Sequence, residues 1–221
     1  MMITNLIREK RKTLSLVIDR EGNLIIKAPK NMPLSEITGF IQSKEKWISS
    51  HQSQIKNRLN ANQDVINMEK VLILGNKFEV GYVDSIREIK QEGNKLFIPT
   101  KYYAKKQQYM AKWLKNRAIP IIENRVLYFS TNYKIKFSSI SLINAKTRWG
   151  TCSSMKEISF NWRIIMLSPR LIDYIIVHEL MHILEANHSE KFWKLVEAVM
   201  PDYKKRKEEL KNCAFILNLF R

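Results

Sequence analysis

A chain of 221 residues, 45% of them hydrophobic, suits one large domain or two small ones and can bury a sizeable core. No apolar run approaches the ~18–20 residues of a membrane span, and MMITNLIREKRK at the amino terminus lacks the apolar stretch of a signal peptide. Two cysteines, Cys152 and Cys213, make no disulfide framework, so we expect a reduced, soluble, cytoplasmic protein with no membrane partner.

The net charge of +17 and a pI near 9.9 have two readings. One is attraction to an anionic partner, nucleic acid or nucleotide, through a basic surface. The other is codon usage, because Lys, Ile and Asn are abundant throughout and no aromatic RNA-binding signature or zinc finger accompanies the lysines. We weigh the second reading more heavily.

In chain order, TLSLVID and NLIIKAP read as strands joined by the turn REGN. LSEITGFIQSKEKWISSHQSQIKNRL carries Ile37, Phe40, Ile41, Trp47, Ile48 and Ile55 at helical spacing and reads as one amphipathic helix. KVLILGNKFEVGYV reads as two strands about Gly75-Asn76, and IREIK, QEGN and KLFIP as a further hairpin. From Tyr102 to about Asn132 the pattern is helical, with Pro120 expected to kink or split it. IKFSSISLINAKTRW reads as strand, GTCSSMKE as turn and ISFNWRII as strand. Ser168-Pro169 then looks like a cap followed by proline at the first helical position. These elements place a boundary near residue 100, between a β-rich region with one amphipathic helix (1–100) and a second domain (101–221).

The helix opened by Pro169 contains VHELMHILEANHSEKFW, which holds three of the four histidines in the chain. His178 and His182 are four apart, a turn of about 40° and a rise of about 6 Å on a helix, so both imidazoles leave one stripe and suit one Zn²⁺. Glu179 lies beside the first of them, where a general base belongs. His188 cannot share that stripe; a continuing helix would rotate it about 240° away. The chain must turn at EANHS. Asn187 is a residue that tolerates the left-handed helix end, and Ser189 can cap a following helix, EKFWKLVEAVM. Three histidines leave a fourth position for water, the pattern of a catalytic zinc. Two rivals for the third ligand are Glu185, on the same stripe, and Glu197, on the following helix. Three ligands on one straight stripe approach from one side, whereas a tetrahedral ion needs them spread by ~109°, which disfavours Glu185; Glu197 would leave His188 unemployed after a turn that aims it back, so both glutamates are expected no closer than behind a ligand.

KTRWGTCSS, ISFNWRIIMLSP, IDYIIVHELMHILEANHSEKFW and MPDYKKR together resemble the YgjP-like metallopeptidases, which are related to SprT-like proteases. The opening TLSLVIDREGNLIIKAPKNMP and KEKWI resemble that family too. The resemblance implies an α+β fold, in which a β-rich region precedes a zincin-like domain with a small antiparallel sheet and a central HExxH helix. It implies one zinc ion per chain on His178, His182 and His188, Glu179 as base, and a peptide or protein substrate. Metzincins share the histidine spacing but place glycine where this chain has Glu185, which argues against membership there. Met200 is read as ordinary core, Trp149-Gly150 as a packed turn at a strand end and Cys152 as a small buried residue. Arg148, Arg163 and Tyr174 are candidates to stabilise an oxyanion, each weighed equally as structural. The strand before Arg148-Trp149-Gly150 is expected to offer a free edge to an extended peptide. The rival functions are hydrolysis of nucleotide phosphoanhydrides and SprT-like proteolysis of nucleic-acid-bound proteins.

Overall fold

The computed structural model describes residues 5–220; Met1–Thr4 and Arg221, the outermost residues of the two expected regions, lie outside the described residues. The chain forms two compact units, one ending at Gln63 and one beginning at Asp64.

The first unit comprises β1 (Asn5–Glu9), β2 (Ser15–Ile18), β3 (Leu24–Pro29), α1 (Leu34–Ser43) and α2 (Glu45–Asn60). β3 is central, antiparallel to β2 and parallel to β1. The expected turn forms, with Asp19 Oδ1 accepting from the backbone N–H groups of Glu21 and Asn23. Strand alternation puts Leu24, Ile26 and Ala28 on one face of β3, where they bury against Ile37, Ile41 and Ile48. The single helix expected here is two, because Lys44 leaves helical geometry at φ −108°, ψ 9°. The apolar period runs on across the break, from Ile41 to Ile48, which is why the pattern alone reads as one element.

A short α3 (Gln63–Ile66) begins at the boundary residue and leads, in the second unit, into β4 (Lys70–Ile73), β5 (Asn76–Val83), β6 (Lys90–Glu92) and β7 (Lys95–Pro99), ordered β4-β5-β7-β6. These strands had been expected to belong with the amino-terminal region. The β4–β5 hairpin instead rests on the HExxH side of the molecule: Leu74 N–H donates to the Ile165 carbonyl at 2.7 Å, and a Cβ on Gly75 would lie 3.1 Å from Ser168. Gly75 also needs its freedom for the turn, at φ +81°. The compact boundary therefore falls after residue 63 rather than near 100.

A 3₁₀ turn, Thr100–Lys105, opens α4 (Lys106–Asn132), which Pro120 does not split. Pro120 and Asn116, whose carbonyl loses its helical partner, are both exposed, so water can satisfy that carbonyl. The opposite stripe, Met110, Leu114, Ala118, Ile122 and Val126, is buried. β8 (Ser139–Ile143), β9 (Gly150–Cys152) and β10 (Glu157–Asn161) follow, ordered β8-β10-β9. This sheet is mixed rather than antiparallel, since β10 runs parallel to β8 and antiparallel to β9. β9 lies inside the segment expected to be a turn; the reversal itself occupies Ser153–Lys156, with Lys156 at φ 61°.

After a 3₁₀ turn, Trp162–Met166, come α5 (Pro169–Met181), α6 (Glu190–Val199) and α7 (Tyr203–Asn212). α5 starts at the expected proline and is buried on most sides, through Leu171, Ile172, Ile175, Ile176, Val177 and Leu180 among others. Arg125 of α4 grips Asp173 of α5 with two hydrogen bonds of 2.7 and 2.8 Å. Met200 is buried, as expected of core. Among the described residues, no helix is long and apolar enough to cross a membrane.

Candidate metal centre

α5 delivers His178 and Glu179 from its last turn, and His182 stands at its end with φ −64° and ψ −20°. The chain then leaves the helix through a tight turn in which Ile183, Leu184 and Glu185 donate to Leu180 and Met181. Asn187 does not adopt the left-handed conformation expected of it; the turn needs no such residue. Ser189 does cap the next helix, its Oγ accepting from Phe192 N–H at 3.3 Å. The bend returns His188 to the other two histidines.

One ligand nitrogen from each of His178, His182 and His188 lies within 4.8 Å of the others. His178 Nε2 and His188 Nε2 are 3.0 Å apart. Nitrogens bound tetrahedrally at 2.0–2.1 Å from one ion would be about 3.3 Å apart, so the donor set fits a single N-preferring metal. His182 Nδ1 lies 3.2 Å from the Glu185 carbonyl oxygen. A carbonyl only accepts, so Nδ1 carries the hydrogen and the Nε2 lone pair is left for a metal. The Glu185 contribution is thus its backbone; its carboxylate pairs with Lys191 at 3.2 Å. Glu197 is exposed and outside the converging set. His178 Nδ1 is buried with no hydrogen-bond partner, so its orientation comes from packing.

That packing was missed at the level of sequence. Phe192, fully buried, lies against all three imidazoles, with ring centroids 5.0, 4.5 and 4.9 Å from those of His178, His182 and His188. Trp193 stacks on His188 at 5.7 Å and on Tyr203 at 5.2 Å, and Lys207 Nζ sits 4.1 Å from its ring centroid. The FW pair next to the capping Ser189 was visible as a motif but carried no signal of this role. Burial, then the neighbouring His182, His188 and Lys207, push His178 down to about 3. A metal-binding imidazole must be neutral, and this environment keeps it so.

Glu179 is only 6% exposed and lies in the wall of the same cleft. Burial pushes its carboxyl up to about 8; a divalent cation among the adjacent imidazoles would favour the ionised form. Gly150, at the start of β9, packs directly against it: a Cβ there would lie 2.7 Å from Glu179 Cγ and Oε1. This glycine is a close-approach position beside the carboxylate, not the packed turn expected.

The cleft, about 670 Å³, runs between β9 and its following turn on one side and the end of α5 with His188 on the other. β8, the strand before Arg148, is an edge strand as expected, but so is β9, and it is β9 that lines the cleft with its residues. Arg148 and Cys152 line this cleft. The Cys152 thiol is pushed up by burial and then by Glu179, and it is not among the converging ligands. Tyr174 is buried, 6.0 Å from the His178 ring, its hydroxyl pushed up to about 12 by burial, Tyr203 and Glu179. Arg163 is taken out of the site altogether. It is buried, donating to Asn144 Oδ1 at 2.6 Å and to the carbonyls of Leu219 and Phe220. Asn161, fully buried, donates from Nδ2 to Ala145 and Arg148 carbonyls at 2.6 and 3.2 Å and so holds the loop that delivers Arg148 and Gly150.

No curated protein matches the chain. A search of solved structures returns the metallopeptidase zymogen abylysin of Pyrococcus abyssi, 21% identical over 40% of this chain and 90% of that one, with a TM-score of 0.38. The family described as "YgjP-like, metallopeptidase domain" matches residues 12–213, from β2 through the final turn of α7. That match spans the HExxH helix, the bend and the glycine strand together, and the chain belongs to the YgjP-like metallopeptidases.

Proposed function

We propose that the protein is a zinc-dependent peptidase in which His178, His182 and His188 hold one zinc ion per chain and Glu179 is the general base. The observation that carries this reading is the position of Glu179. It is next in sequence to one triad histidine and buried in the cleft wall, yet it is not one of the converging ligands. A zinc ion held there supplies Lewis acidity, polarising the scissile carbonyl and lowering the pKa of water from ~15.7 towards ~7. A Glu179 carboxylate oxygen takes the proton from the attacking water and passes it to the leaving amine. The edge of β9 offers backbone hydrogen bonds along which an extended peptide can lie. The rival, hydrolysis of nucleotide phosphoanhydrides, draws on Arg148 and Lys156 in the same cleft; the peptidase family and the edge strand favour the peptide.

Protein purified without chelator is expected to carry about one zinc per chain by elemental analysis. Glu179→Gln should keep the zinc and lose at least ~10²-fold in peptide hydrolysis. His182→Ala should lose both. His188→Ala should lose zinc, whereas Glu185→Gln and Glu197→Gln should retain it. Full activity of Glu179→Gln, or zinc binding that survives His188→Ala but not one of the glutamate substitutions, would overturn the assignment.

A further inference from the structure

We propose that the cleft selects peptides with an acidic side chain beside the bond to be cut, and that Arg148 and Lys156 recognise it; this rests on the peptidase reading above. Apart from histidines, the charged residues lining the cleft are Arg148, Lys156 and Glu179. Glu179 is buried beside the triad, so the accessible fixed charge of the cleft is positive. The nearby carboxylates face other partners: Glu157 accepts from Ser153 Oγ at 3.2 Å, and Glu185 pairs with Lys191.

Arg148 differs from the arginines around it. Arg125, Arg170 and Arg206 each hold an aspartate or glutamate, and Arg163 is buried among carbonyls and amides. Arg148 and Lys156 are exposed, and neither forms an ion pair among the described residues. Their backbones are nevertheless built in. The Arg148 carbonyl accepts from buried Asn161, and Lys156 closes a tight turn, its N–H donating to Ser153 and its carbonyl accepting from Ser138. Arg148 lies two residues before β9, and Lys156 closes the turn four residues after it. Arg148 to the end of β9 is four residues of extended chain, about 13 Å, so a peptide paired along this edge has Arg148 towards one end of the paired stretch and the turn with Lys156 towards the other. A cationic edge attracts Asp or Glu there and repels Lys or Arg. Exposed ion pairs are each worth about 2–5-fold in binding, and two together about tenfold.

The test uses the zinc-loaded full chain and quenched peptides that differ only by Glu, Ala or Lys next to the scissile bond. Cleavage is measured with the parent, and binding by fluorescence anisotropy with Glu179→Gln. The order Glu, Ala, Lys is expected in both kcat/KM and affinity, with about tenfold between the extremes, narrowing at high salt. Arg148→Glu with Lys156→Glu should invert the order at unchanged zinc content and melting temperature, and Arg148→Lys should preserve it. Equal cleavage of all three peptides, unmoved by charge reversal, overturns the inference and leaves the peptidase reading intact. Tight, charge-dependent binding without cleavage sustains the anion-selective cleft and removes the peptidase reading. Hydrolysis of a nucleoside triphosphate with no peptide bound removes both.

Discussion

Glu179 and Gly150 occupy one space, and the glycine's missing side chain is what lets the carboxylate sit in the cleft wall. Adding a methyl group would place carbon 2.7 Å from Glu179 Cγ and Oε1, closer than non-bonded atoms tolerate, so one of the two must move. Glu179 is the end that yields, because β9 is hydrogen-bonded to β10 across Gly150. Gly150→Ala is therefore expected to lower turnover by ~10–100-fold through misplacement of the base, with zinc content unchanged. Single-turnover kinetics beside metal analysis checks this; a variant with parental turnover would show that Glu179 has slack. Gly39→Ala is the matched control, since nothing lies within 4 Å of that position in α1. It should be neutral or stabilise by about 0.4–1 kcal/mol through the unfolded chain.

At the scale of elements, the site depends on a bend rather than on a helix. α5 supplies two histidines, but the third arrives only because the chain turns after His182 and α6 restarts at a capped Ser189. The cap is one residue beyond His188, and Phe192, whose N–H it accepts, is also the ring beneath the three imidazoles. Ser189→Ala should cost about 0.5–2 kcal/mol, the usual worth of a lost N-cap. Because the cap also fixes His188, zinc affinity should weaken along with the melting temperature of the metal-stripped protein. A melt and a zinc titration on the same preparation measure both; a lowered melting temperature with unchanged zinc affinity would uncouple the cap from the site. The histidine spacing, the proline start of α5 and the Ser189 cap were legible in the sequence, because each is set by neighbours within about four residues. The left-handed Asn187 was not realised, since i→i−3 bonds from Ile183 and Leu184 already end the helix.

For the whole molecule, the division after Gln63 leaves every residue of the cleft, from Arg148 to His188, in the second unit. The β4–β5 hairpin goes with it, held by Leu74 on Ile165. Residues 64–221 expressed alone are expected to fold cooperatively and bind about one zinc, whereas 101–221 should not, because deleting β4–β7 removes the buried Val71, Leu72, Leu96 and Ile98, uncovers the apolar surface they pack against and leaves the Ile165 carbonyl without Leu74. Thermal unfolding and zinc stoichiometry of the two fragments decide it; a stable, zinc-binding 101–221 would restore the boundary near residue 100.

What the sequence determined by itself was local: most of the helix and strand segments, the three histidines with Glu179 beside the first, and the turn that had to lie between His182 and His188. These follow from helical pitch, strand alternation and capping, which act between near neighbours. Tertiary structure alone decided that Gly150 meets Glu179 across 29 positions, that β9 rather than β8 is the edge at the cleft, and that Arg163 serves the core while Arg148 faces the cleft. Those outcomes turn on which strand pairs with which and on which surfaces are buried together, and such long-range packing leaves no period in the chain for a sequence to display.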